Sequence, residues 1–145
     1  CQQPPSIVRI VQSRTSTKEV TMLNPNVPAW FEISTIDLDR AQRFYEKVLE
    51  VKLQREEMGG AKMAVFPYGG SPNSSGALIH AEDNEPSVQG CVIYLSVVDL
   101  RPVLERAVAA GGDTIVPCTA LPGDMGFFAQ FIDSEGNRVG LWSAR

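Results

Sequence analysis

Few side chains in this 145-residue chain have the types and spacing to do chemistry. His80 is the only histidine, and its ordinary pKa of about 6.5 suits a general acid or base at neutral pH. The structural reading of His80 is a strand-end residue, half solvated beside Glu82 and Asp83. Glu32 stands in Trp30-Phe31-Glu32-Ile33-Ser34-Thr35, whose alternation puts Trp30, Glu32 and Ser34 on one strand face. A carboxylate on a concave sheet face must be solvated, paired or used. Arg138 is a candidate partner for it, and such a pair can also be purely structural. Tyr94 adds a phenol, so Glu32, His80 and Tyr94 form the candidate catalytic set. Trp30, Tyr94 and Trp142, with Phe128 or Phe127 nearby according to register, offer walls for a flat or apolar molecule. The same rings would equally well fill a core by themselves. The candidate ligand-binding set is therefore Trp30, Glu32, Tyr94, Phe128, Arg138 and Trp142.

Bulk properties narrow the classes. The length suits one ordinary domain, and 43% hydrophobic with 21% charged residues is a globular composition. A net charge of −4 gives no basic field for nucleic acid or an anionic membrane surface. Apolar runs such as Cys91 to Val98 fall far short of the roughly 20 residues of a transmembrane helix. Cys1, Cys91 and Cys118 make an odd count without a CxxC pair, which argues against a disulfide framework or a thiolate zinc site. Cys91 and Cys118 read as small core or strand-end residues. Reduced thiols favour the cytoplasm, whereas Cys1-Gln2-Gln3-Pro4-Pro5 fits the mature end of a lipid-anchored bacterial lipoprotein; the compartment stays open. Residues 1–27 read as an added arm or a processed segment, with one candidate strand at Ile7–Val11.

The elements that must position the candidates follow from periodicity. After the strand at 30–35, Asp37 is a natural N-cap and Leu38–Leu49 an amphipathic helix with Leu38, Ala41, Phe44, Tyr45 and Val48 on its apolar face. Strands are expected at Val51–Arg55, Ala61–Pro67 and Gly76–Ala81. The second half repeats this order: a strand at Val92–Val97, the cap Asp99, a helix at Leu100–Ala110, then strands at Asp113–Pro117, Phe127–Ile132 and Arg138–Ser143. An offset of 62 lays Ile33 over Leu95, Asp37 over Asp99 and Leu38 over Leu100. The same offset lays Ala77–His80 over Val139–Trp142. The economical reading is an internally duplicated α+β fold, two tandem βαβββ modules forming a cupped mixed sheet. The modules run over about 28–84 and 88–145, within one domain at 28–145. Leu121-Pro122-Gly123-Asp124-Met125-Gly126 reads as a connecting turn or a lid over the cup.

Three segments carry a family resemblance. The strand and helix through Phe31-Glu32-Ile33, Asp37 to Ala41 and Phe44-Tyr45 resemble the opening of vicinal-oxygen-chelate, or glyoxalase-like, domains. Ala109–Gly112 is similar to their second helix end, and Phe127 to Arg138 to their closing F-x-D-P-x-G-N hairpin. The resemblance covers about residues 28–145 and implies paired βαβββ modules and dimers. The family spans isomerases, dioxygenases and drug-binding proteins, so the reaction is not implied.

Metal-dependent members hold one divalent ion between the first and last strands of each module. Anchored on Asp37 and Asp99, those positions fall at Trp30 and Val92, and the offset puts the last-strand pair at Leu78 and Gly140. None can hold a hard or borderline cation, so no metal or other cofactor is expected. One further step along each strand lie Glu32, His80, Tyr94 and Trp142, of which only Glu32 and His80 are conceivable ligands. The reading is a small-molecule-binding protein without the usual metal. The alternatives are a metal-dependent lyase, isomerase or dioxygenase, and a drug-sequestering protein of the bleomycin-resistance type. Whether the chain is an enzyme stays undecided.

Overall fold

Each half of the chain spends its apolar residues on one sheet and one helix, and the computed structural model describes residues 28–70 and 75–145. The expected arm at 1–27 and its strand at Ile7–Val11 lie outside the described residues. The first half comprises β1 (Trp30–Ser34), α1 (Leu38–Leu49), β2 (Gln54–Met58), β3 (Ala61–Val65) and β4 (Ser75–His80). The second comprises β5 (Ile93–Ser96), α2 (Leu100–Ala109), β6 (Asp113–Ala120), β7 (Phe127–Ile132) and β8 (Arg138–Ser143). The expected cupped sheet is built as two four-stranded sheets, ordered β1-β4-β3-β2 and β5-β8-β7-β6. In each, the first strand lies parallel to the last and the remaining pairs are antiparallel. The duplicated topology is the one the offset implied.

Both helices start as their sequences dictate. The Asp37 carboxylate accepts from Arg40 N–H at 3.0 Å, and the Asp99 carboxylate from Arg101 N–H at 3.1 Å. The buried stripe of α1 is Leu38, Ala41, Phe44, Tyr45 and Val48, as its spacing predicts. Both helices and the helix-facing sides of both sheets share one core, which includes Ile33, Phe44, Tyr45, Leu78, Leu100, Phe131 and Leu141. β2 starts three residues later than expected, because Leu53 turns into this core and its N–H donates to Glu46 Oε1 at 3.0 Å. β6 runs past Pro117 to Ala120, with register shifts on either side of Val116 that accommodate the proline.

The closing turn of the second module locks the first. Glu135 Oε1 accepts from the N–H groups of Ile36 (3.0 Å) and Asp37 (2.7 Å), and Glu135 Oε2 from Arg40 Nε at 2.8 Å. Tyr45 donates to Asp133 Oδ2 at 2.6 Å, and Asn137 Nδ2 to the Ser34 carbonyl at 2.8 Å. Burial, reinforced by the Asp133 charge, pushes the Tyr45 phenol well above its ordinary pKa, so it remains a donor.

One expectation about register is corrected. Ile33 pairs with Leu78, and Leu95 with Leu141, so the repeat is 62 at the first strands and 63 at the last. A slip of one residue turns a strand over. Leu78 therefore faces the helices, in the core with Ile33, and Gly76 lies beneath the Phe31 ring on that side. Ala77 and Ile79 face the open side, where they join Met63 in a small satellite cluster.

Candidate functional site

The open faces of the two sheets carry most of the sequence candidates. On β8, Val139 and Leu141 belong to the core, so Arg138, Gly140 and Trp142 face the other way. β5 pairs Tyr94 with Gly140, while β7 pairs Phe128 with Trp142 and Gln130 with Gly140. The Tyr94 ring lies across Gly140, where an added Cβ would run into it. Tyr94 and Phe128 meet edge to face, their centroids 6.4 Å apart. With Trp142 and Leu121 they line an apolar hollow of about 360 Å³. Gln130 Nε2 donates to the Tyr94 hydroxyl at 2.5 Å. The Trp142 indole N–H donates to the Met125 carbonyl at 2.9 Å, and Leu121 N–H to that of Gly126 at 2.8 Å. These bonds hold the 121–126 loop, read from sequence as a connecting turn or a lid, beside the aromatic wall.

A second, polar hollow of about 200 Å³ lies at the seam between the modules. Glu32 and Ser34 reach it from β1, Glu85, Ser87 and Cys91 from the connector, and Asn137 and Arg138 from the β7–β8 hairpin. Asn137 Oδ1 accepts from Ser87 N–H at 3.0 Å, which ties the connector to the hairpin. Glu32 and Arg138 share this hollow, but they are not among the ion pairs within 4.0 Å formed by the described residues. Arg138 Nε is buried and has no hydrogen-bond partner among the described residues.

Two candidates stand apart. His80 was placed on the cup-facing side of β4, and the register puts it on the opposite side, with Nδ1 3.0 Å from the Thr35 carbonyl. It does not meet Glu32 or Tyr94. Trp30 is 43% exposed on the open face of the first sheet and lines neither hollow. Of the proposed catalytic set, Glu32 lies at the seam and Tyr94 on the aromatic wall. Cys91 is exposed, and Cys118 is partly buried against the core. Gln130 was not anticipated, although alternation from Phe128 would have put it on the same face. Nothing in the connector's sequence marked Glu85 or Ser87 as lining residues.

With the register corrected, the positions matching the family's metal ligands are Trp30, Ala77, Val92 and Gly140, none of which carries a suitable donor. Among the described residues, no three His, Cys, Asp or Glu side chains cluster closely enough to hold an ion. A larger hollow of about 570 Å³ opens on the helix side, between Phe31, Phe66, Leu95, Val97 and Arg106. Of the charged groups bordering it, Asp99 caps α2 and Arg106 Nε donates to the Val48 carbonyl at 2.8 Å, which leaves Glu50 as a single carboxylate on a mostly apolar rim. No chemistry is assigned to it. Among the described residues, no helix is long and apolar enough to cross a membrane.

Comparison with known proteins bears on this architecture. A family model described as the glyoxalase/bleomycin resistance protein/dioxygenase superfamily matches residues 28–141. A search of curated protein sequences gives no match. Among solved structures, a glyoxylase/bleomycin resistance protein/dioxygenase domain from Frankia sp. EAN1pec is similar at 22% identity and TM-score 0.63, over 84% of this chain and 100% of that one. The hypothetical protein SA1046 from S. aureus is 25% identical with TM-score 0.58, over 85% and 99% of the two chains. Glyoxalase I from Zea mays is 22% identical with TM-score 0.57, over 80% of this chain and 45% of that one. This chain thus spans less than half the length of the maize protein.

Proposed function

The chain belongs to the glyoxalase/bleomycin resistance protein/dioxygenase superfamily, and from that premise we propose that it binds a small organic molecule on the open face of its second sheet. The carrying observation is the apolar hollow formed by Tyr94, Phe128, Trp142 and Leu121. Three rings with one polar edge at the Tyr94 hydroxyl suit a flat apolar group better than an ion. Binding proceeds without the family's divalent metal, a reading supported by the side chains at the four matching positions. Where the ligand is also turned over, Glu32, which lines the adjoining seam hollow from β1, is the proton-transfer group. The pairing of two chains as a dimer belongs to the same proposal.

A thermal-shift screen of flat aromatic compounds tests the binding reading, because a ligand that prefers the folded state raises the melting temperature. Trp142→Leu should weaken any hit by roughly tenfold, the worth of about 1.4 kcal/mol of lost aromatic contact. A hit whose affinity ignores both Trp142→Leu and Tyr94→Ala binds elsewhere and removes the hollow from consideration. Stoichiometric nickel, zinc, iron or manganese in the purified protein would overturn the metal-free reading in favour of a metal-dependent lyase, isomerase or dioxygenase. Drug sequestration draws on the same wall, and the net charge of −4 favours cationic compounds. Selective binding of large cationic drugs in the same screen would support that alternative.

A further inference from the structure

Arg138 opens β8, and its side chain leaves the strand on the face that carries Gly140 and Trp142. Its Nε is buried without a hydrogen-bond partner among the described residues. The guanidinium makes no hydrogen bond or ion pair with any described residue. Its terminal nitrogens, unlike Nε, stay accessible to an acceptor from outside the fold, on a half-buried side chain that lines the seam hollow. The two terminal nitrogens form one edge of the guanidinium fork, which matches the two oxygens of a carboxylate.

The same hollow is lined by the carboxylates of Glu32 and Glu85. A plain anion would meet these two charges, and a plain cation would meet Arg138. A head group carrying both signs answers both. At about 200 Å³ the hollow is too small for a drug-sized molecule, which needs at least about 300 Å³, but it is ample for such a head group. Arg138 and Gly140 are two residues apart on one strand face, about 7 Å. The Tyr94 ring lies over Gly140, so the polar hollow and the aromatic wall are one strand step from each other.

We infer that the seam hollow holds the head group of a small zwitterion of the α-amino acid type, its carboxylate on Arg138 and its ammonium on Glu32 and Glu85. The flat apolar side group of that ligand lies on Tyr94, Phe128 and Trp142. This names a ligand class for the function proposed above and rests on that reading.

Calorimetric titration of the full chain with four related probes tests it. L-tryptophan carries both charges, indole-3-propionate lacks the ammonium, tryptamine lacks the carboxylate, and indole lacks both. L-tryptophan should bind tightest, each singly charged analogue roughly tenfold more weakly, and indole weaker still. Arg138→Gln should remove the advantage of L-tryptophan over tryptamine, and Glu32→Gln should reduce its advantage over indole-3-propionate. Equal affinity for all four probes overturns the zwitterion inference while leaving the aromatic site standing. Failure of all four, with other flat compounds binding, overturns it in the same way. Failure of every flat compound removes both readings together. The probe series is read on the unaltered protein, so a variant that fails to fold does not decide the result.

Discussion

Glu135 exchanges water for hydrogen bonds from two backbone N–H groups, the Arg40 guanidinium and the Ser134 hydroxyl. Burial works to raise its pKa, but the donors of Arg40, Asp37 and Ser134 outweigh it, so the carboxyl lies below its ordinary value. A carboxyl depressed in the folded state adds stability that is complete above its unfolded pKa. That stability is lost as pH falls through the lower, folded value. Glu135→Gln is therefore expected to cost about 1–2 kcal/mol at pH 7, a figure held down by the half-exposed Arg40. Urea unfolding across the acid range should show the gap between the two proteins closing as pH falls through the folded carboxyl value. A gap that stays constant would mean that ionisation of Glu135 plays no part. At this scale the sequence was legible for the aromatic wall, since Tyr94, Phe128 and Trp142 do meet. It was not legible for His80, whose neighbours depend on a pairing register that no single residue encodes.

That register is an element-scale property, and β4 shows why it was hard to read. Ala77-Leu78-Ile79 is apolar on both faces, because one side joins the main core and the other the satellite cluster. Without a polar face, period-two patterning cannot tell which residues point inward. The strands β1 and β8 mix polar and apolar positions, and there the reading of faces matched. The helices were the most legible elements, since their caps and stripes are local. The two strand glycines now carry opposite expectations for the two sheets. Gly76→Ala would press against both the Phe31 ring and its carbonyl oxygen, inside the core. At Gly140 the nearest atoms an added Cβ would meet all belong to the exposed Tyr94 ring, which can shift toward the open face at the cost of its contacts with Gln130 and Phe128. We expect Gly76→Ala to lower stability by about 2–3 kcal/mol and Gly140→Ala by less, measured by thermal unfolding. Gly140→Ala should instead weaken binding of flat ligands, because the displaced ring narrows the hollow. Equal destabilisation by the two changes would count against this assignment of faces.

On the scale of the whole molecule, the modules share a core and the second caps the helix start of the first, so they should unfold as one. One tryptophan lies in each, Trp30 in the first and Trp142 in the second. Trp30→Phe and Trp142→Phe leave one reporter apiece, and their denaturant midpoints, corrected for each variant's stability, should coincide; separated transitions would show independent halves. The contacts that join them also impose an order in time. The Asp37 N–H waits for a carboxylate 98 residues further along the chain. At ribosomal rates of about 5–20 residues per second, that is a delay of roughly 5–20 s. For those seconds the nascent first half has its helix start uncapped by Glu135 and a strand that is apolar on both faces with no second module to share its core. The duplication that looks like two units in the sequence is, for the cell making it, a single unit finished only when its last hairpin emerges.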